Sequence, residues 1–180
     1  TTKIPGVGPG ISAKLKELLT TGRIRELQKL RKLKTVSAAR ILGKIIGVGP
    51  KTIEDWTTRG IYNLPDLRRA IARGAVVLTH MQKCGLKYYT DLNTRIPRDE
   101  VTALGAIFEG LLKGIAPAIT FTIAGSYRRG AAMSGDIDIL VTQEAFDEDL
   151  LVKVADTLQA DPLYIDSLSL GTERLTFLYM

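Results

Sequence analysis

The chain has 180 residues, 45% of them hydrophobic and 24% charged, with a net charge of +6. That length can bury a core in one or two domains, while no apolar run is long enough to span a bilayer, so no membrane partner is expected. Cys84 is the single cysteine, which excludes an intramolecular disulfide and fits an intracellular protein, and no signal-peptide pattern opens the chain.

The charge is divided unevenly. Residues 1–98 carry 20 Lys/Arg against 6 Asp/Glu, a net of +14, whereas residues 99–180 carry 5 against 13, a net of −8. A basic half joined to an acidic half predicts a polyanion-binding module attached to one that holds metal. In the basic half an internal repeat stands out: Ile4-Pro5-Gly6-Val7-Gly8 recurs as Ile45-Ile46-Gly47-Val48-Gly49, each copy followed by a helical pattern. Glycines allow a tight turn, and successive N–H groups in such a turn beside a helix start form a nest for a phosphate. Gly6, Gly8, Gly47 and Gly49 are therefore expected at a DNA backbone, in contacts that are salt-sensitive and carry no sequence information. The first copy leads into a helix over residues 11–19 with Ile11, Leu15, Leu18 and Leu19 on an apolar stripe. Thr21-Gly22 breaks it, and Ile24, Leu27 and Leu30 begin a second. After the second copy come helices over 52–58 and 67–72. Trp56 lies at helical spacing and reads as core, and His80, with no second histidine to share a metal, reads as structural.

In the acidic half a helix is predicted over 98–112, with Val101, Leu104, Ile107, Phe108 and Leu111 on its apolar face. A strand follows over 119–124, then Gly125-Ser126-Tyr127-Arg128-Arg129-Gly130, then a strand over 136–142, a helix over 147–158 and a strand-rich end. The period of two in a strand puts Asp136 and Asp138 on one face. Ile137, Ile139, Leu140 and Val141 make that strand a largely buried one. Side-by-side carboxylates repel unless a cation sits between them, and a hard divalent ion such as Mg²⁺ suits oxygen donors. The Gly-Ser turn falls where a strand becomes a helix, whose first N–H groups favour phosphate, and Arg128 and Arg129 add fixed cations. Phosphate holders beside a carboxylate pair predict phosphoryl or nucleotidyl transfer.

Gly125-Ser126-x-Arg128-Arg129-Gly130 followed by Ser134-Gly135-Asp136-x-Asp138 resembles the palm motif of the family X DNA polymerases, in the nucleotidyltransferase superfamily. Gly85-Leu86-Lys87-Tyr88-Tyr89 and Arg95-Ile96-Pro97-Arg98 resemble that family's passage from DNA-binding domain to palm. The resemblance implies an α+β fold, an all-α helix-hairpin-helix region followed by a palm with a helix-backed mixed β-sheet. It divides the chain into residues 1–34, the end of a lyase-like helical domain with the first helix-hairpin-helix, residues 35–95, a DNA-binding domain with the second, and residues 96–180, the first part of the palm.

The implied activity is gap-filling nucleotidyl transfer in base excision repair. A primer 3′-hydroxyl on gapped or nicked duplex DNA attacks the α-phosphate of a deoxynucleoside triphosphate. By the same resemblance Asp136 and Asp138 ligate two Mg²⁺ or Mn²⁺ ions, while Ser126, Arg129 and Gly135, with Gly125, contact the β- and γ-phosphates. Arg95 corresponds to an arginine that holds the triphosphate, unless it is spent on an ion pair with Asp99. Backbone carbonyls of Thr2, Ile4 and Val7, and of Gly43, Ile45 and Val48, would bind Na⁺ or K⁺. Lys14 falls on the lysine that forms a Schiff base with an abasic sugar, its alternative being a solvated helix lysine. The family's earlier lyase helices, third palm carboxylate and base-checking subdomain have no counterpart in the 180 residues. The expectation is thus a segment inactive alone, from an enzyme of the nucleus. Two alternatives stay open: a template-independent terminal transferase, and a noncatalytic DNA-binding scaffold.

Overall fold

The computed structural model describes residues 4–144 and 148–180. The chain divides into two compact units, Thr1–Gln82 and Lys83–Met180. No helix among the described residues is long and apolar enough to cross a membrane.

The first unit is helical: α1 (Pro9–Thr21), α2 (Arg25–Arg31), α3 (Lys34–Leu42), α4 (Pro50–Thr58) and α5 (Leu64–Ala72). Its repeated sequence gives a repeated structure. Val7 N–H donates to Ile4 O at 3.1 Å and Val48 N–H to Ile45 O at 3.0 Å. Gly6 and Gly47 occupy the left-handed region at φ 81° and 78°, as the third position of such a turn requires. Extended Gly8 and Gly49 then cap α1 and α4, each of which begins with a proline. There the missing N–H costs nothing. Ala38, Leu42, Ile45, Trp56, Ile61, Leu67 and Ala70 are buried, so Trp56 is a core residue. The stripe on α1 behaves otherwise: Ile11, Leu15, Leu18 and Leu19 are all exposed, and neither α1 nor α2 buries a residue. Its spacing is helical, but among the described residues nothing covers it.

The division between the units falls within α6 (His80–Lys87). Cys84 in its second half donates to Asp166 Oδ2 at 3.3 Å, which ties that half to the strand Tyr164–Leu170. The second unit continues with α7 (Tyr89–Leu92), β1 (Ile96–Pro97), α8 (Arg98–Ile115), β2 (Thr120–Ile123), α9 (Gly125–Arg128), β3 (Met133–Ser134), β4 (Ile139–Thr142), α10 (Leu150–Gln159), β5 (Tyr164–Leu170) and β6 (Leu175–Tyr179). The expected start of the helix before residue 150, at Asp147, lies outside the described residues. Strands pair as three antiparallel ladders, β1 with β3, β2 with β4 and β5 with β6. The single mixed sheet read from the sequence is, among the described residues, this set of short ribbons backed by α8 and α10. Phe108, Leu112, Ile119, Val154 and Leu158 form the core, joined by Phe121, Ile139, Val141 and Phe177. Phe108, Phe177 and Tyr179 make a three-ring cluster, with Phe108 to Tyr179 centroids 4.9 Å apart. Gly105 of α8 is buried, and a Cβ there would meet Ile123 Cδ1 at 2.5 Å. Its small size lets the end of β2, and so the turn that follows, sit close on the helix.

Candidate active site

β2 ends at Ile123 and the chain turns sharply. Gly125 has φ 56°, a left-handed conformation that L side chains resist, and α9 is a single helical turn. The first N–H groups of the predicted helix start are present, but four residues make too short a helix to add much dipole. A Cβ on Gly125 would collide with Asp138 Oδ2. The turn and the Asp138 carboxylate are thus in contact, at a residue whose missing side chain allows it.

The acids themselves lie ahead of β4 rather than inside it. Ala124 N–H donates to Asp138 O at 2.8 Å, and the ladder proper begins with Ile123 opposite Ile139. Because β2 has already turned away at Gly125, residues 136 and 137 have no partner strand in this ladder. The expectation of a largely buried strand is corrected here: Asp136 and Asp138 are exposed, Leu140 is 61% exposed, and Ile137, Ile139 and Val141 are half-buried. The alternation places the acids on the open face and the branched apolar residues on the core. Beside them lies an open depression lined by Thr120, Thr122, Gly125, Arg128, Arg129 and Leu140. Oxygen donors from two exposed carboxylates suit a hard divalent cation. Among the described residues no third carboxylate, histidine or cysteine clusters with them.

Ser126 is half-buried and its hydroxyl donates to Ser134 Oγ at 3.0 Å; Ser134 is 1% exposed. Ser134 pairs with Ile96 of β1, so Arg95, the exposed residue just before β1, enters the site region through that ribbon. No ion pair joins Arg95 to Asp99 among the described residues. Arg128 and Arg129 are exposed, and a Cβ on Gly135 would meet open space. The sequence reading missed Arg98. Its Nη1 donates to Tyr127 O at 2.8 Å and to Ala131 O at 3.3 Å, and its guanidinium lies over the Tyr127 ring. The Arg-Ile-Pro-Arg string contained it, but nothing local signals a bond reaching across 29 positions.

In the first unit, Gly6, Gly8 and Gly49 would meet nothing with an added Cβ, and Gly47 would press on Met81 at 3.1 Å. The carbonyls of Ile4 and Ile45 each accept a turn N–H and keep a second lone pair. Val7 and Val48 close those turns, Gly43 follows α3, and Thr2 lies outside the described residues. Lys14 Nζ bonds Glu26 Oε2 at 2.7 Å with both side chains exposed. That hydrogen bond, with the lysine's charge, holds the Glu26 carboxyl below its ordinary 4.5. Lys14 is thus exposed and ion-paired, whereas an amine freed for nucleophilic work is buried or set among cations.

A left-handed glycine turn against a carboxylate pair on a helix-backed set of strands, in a chain that also carries a helical module with paired glycine hairpins, is the architecture of a palm-type nucleotidyltransferase. Residues 95–180 match the family described as DNA polymerase beta palm, and residues 40–93 the fingers domain of DNA polymerase lambda. The chain is 36% identical over 139 residues to DNA polymerase lambda of Arabidopsis thaliana, covering 77% of this chain. It is 33% identical over 81% of its length to DNA nucleotidylexotransferase of Oncorhynchus mykiss, and 32% identical over 90% to DNA-directed DNA/RNA polymerase mu of Homo sapiens. It spans 25%, 28% and 32% of the length of these three relatives. The chain belongs to the family X DNA polymerases.

Proposed function

We propose that the full-length parent of this chain fills gaps in duplex DNA, adding a templated deoxynucleotide to a primer 3′-hydroxyl during base excision repair. The observation that carries this reading is the packing of the Asp138 carboxylate against Gly125. It sets the acid pair within one residue of the turn that would receive the triphosphate. In this reading Ser126 turns its hydroxyl from Ser134 to a phosphate oxygen, Arg129 offers a fixed cation, and open Gly135 lets a phosphate approach the backbone. Arg95, just ahead of β1, would come to the same triphosphate. Asp136 and Asp138 would hold divalent ions, Mg²⁺ or Mn²⁺, which lower the pKa of the primer hydroxyl and offset the charge of departing pyrophosphate. The hairpins at Gly6, Gly8, Gly47 and Gly49 would hold the DNA backbone through N–H groups, with Na⁺ or K⁺ on the neighbouring carbonyls. A second reading, template-independent extension, is favoured by the 33% identity to a nucleotidylexotransferase.

One assay separates these. Single-nucleotide insertion by the full-length parent is measured with Mg²⁺ on gapped duplex and on a template-free primer, with Asp136→Ala in parallel. Insertion dictated by the template and lost in Asp136→Ala is the expected result. Extension of the template-free primer, lost in the same variant, selects terminal transfer. No insertion by well-folded parent leaves a DNA-binding scaffold.

A further inference from the structure

Arg98 has no task in the reading above, yet it grips the phosphate turn on several sides. Its Nη1 donates to Tyr127 O at 2.8 Å and Ala131 O at 3.3 Å, and its backbone N–H donates to Ala132 O at 3.0 Å. The guanidinium carbon stands 4.1 Å from the centroid of the Tyr127 ring. The Tyr127 hydroxyl is in turn 2.9 Å from Thr102 Oγ1, and that hydroxyl donates to Arg98 O at 2.9 Å. The contacts close a loop from α8 through the turn and back.

The geometry matters because two carbonyls converge on one nitrogen. Tyr127 O and Ala131 O bracket Arg128, Arg129 and Gly130, where Gly130 has φ 83°. Without a cation between them these oxygens would present like dipole ends to each other. A planar peptide transmits the orientation of its carbonyl to the next N–H. Holding both oxygens therefore sets the curvature of the segment that carries Ser126 at one end and Arg129 near the other. A lysine could supply charge but neither the flat face over Tyr127 nor the fixed fork of donors.

We propose that Arg98 is a positioning residue for triphosphate binding: it fixes the backbone of the turn, so that Ser126, by a rotation of its hydroxyl alone, and Arg129 can reach the phosphate oxygens. This rests on the polymerase reading. Arg98 would not touch the nucleotide, so its effect should pass through Ser126 and Arg129.

The test is steady-state single-nucleotide insertion by the full-length parent, comparing wild type, Arg98→Lys and Arg98→Gln, each with and without Ser126→Ala. Loss of charge-assisted bonds predicts a rise in KM for the deoxynucleoside triphosphate of about tenfold in Arg98→Gln, with a smaller rise in Arg98→Lys and kcat moved less. In the Ser126→Ala background the increment should shrink, since the group being aimed is already gone. A purely structural role would lower the melting temperature and the active fraction, and so the apparent kcat, with KM unmoved. If Arg98→Gln does not fold, Arg98→Lys carries the comparison. An unchanged KM in the folded variants, or equal increments in both backgrounds, overturns this inference alone. A parent that inserts nothing overturns the polymerase reading and this inference with it.

Discussion

Replacing Gly125 by alanine tests the contact on which the site is built. Two costs can be read from the structure. At φ 56° a Cβ is strained against its own backbone, at about 1–2 kcal/mol. The same Cβ overlaps Asp138 Oδ2, and turning that carboxylate off its rotamer adds about 0.5–1.5 kcal/mol. Together these come to about 1.5–3.5 kcal/mol, which should lower the melting temperature by roughly 3–14 °C for a chain of this size. In the proposed polymerase, displacing the Asp138 carboxylate by its own share, about 0.5–1.5 kcal/mol, should cost insertion roughly 2- to 13-fold in kcat/KM. The decisive measurement is a double-mutant cycle by denaturant unfolding. With Asp138→Ala in place the collision is gone and only the backbone strain remains, so Gly125→Ala should become cheaper by about 1 kcal/mol. An identical cost in both backgrounds would refute the close approach of turn and acid.

Burial, then the bond to Asp161 at 2.9 Å, push the Tyr179 phenol from 10.0 up to about 12. Because the folded value is the higher one, its contribution is complete below pH 10 and lost as pH rises through about 12. Phenolate absorbance should show one late-titrating tyrosine that disappears in Tyr179→Phe, which should cost about 1 kcal/mol at neutral pH. Gly6→Ala and Gly47→Ala carry the same left-handed strain, but only Gly47 must also displace Met81. Both should weaken binding to duplex DNA in fluorescence anisotropy, and Gly47→Ala should destabilise the chain more. Glu26 is held low by Lys14, so that contribution is present above pH 4.5 and lost as pH falls. In Lys14→Met an NMR titration should find Glu26 back in the ordinary carboxylate range, while an unchanged titration would mean the pair does not persist in solution.

Where the sequence could be read, the reason is local. The two hairpins repeat a glycine at the same place because the same left-handed turn recurs, and the structure gives them matching bonds, Val7 to Ile4 and Val48 to Ile45. The spacing of two that puts Asp136 and Asp138 on one face leaves both exposed, even though the ladder begins only at Ile139. Misjudged features depended on what lies opposite. Helical period alone could not tell that the α1 stripe is exposed, and apolar identity alone could not tell that Leu140 faces outward.

The residues that brace the site escaped for a different reason. A group suited to phosphate or a divalent ion must be one of very few types, so candidates such as Ser126, Arg129, Asp136 and Asp138 can be picked out of a motif. A brace is defined by reach rather than by reactive chemistry. Arg98 is recognisable only once Tyr127 and Ala131 are seen to turn their carbonyls toward it, and Gly105 only once Ile123 is seen against it. Exchanging either brace should therefore leave the motif intact while loosening the geometry it depends on, which is why the KM of Arg98 variants is more informative than their fold.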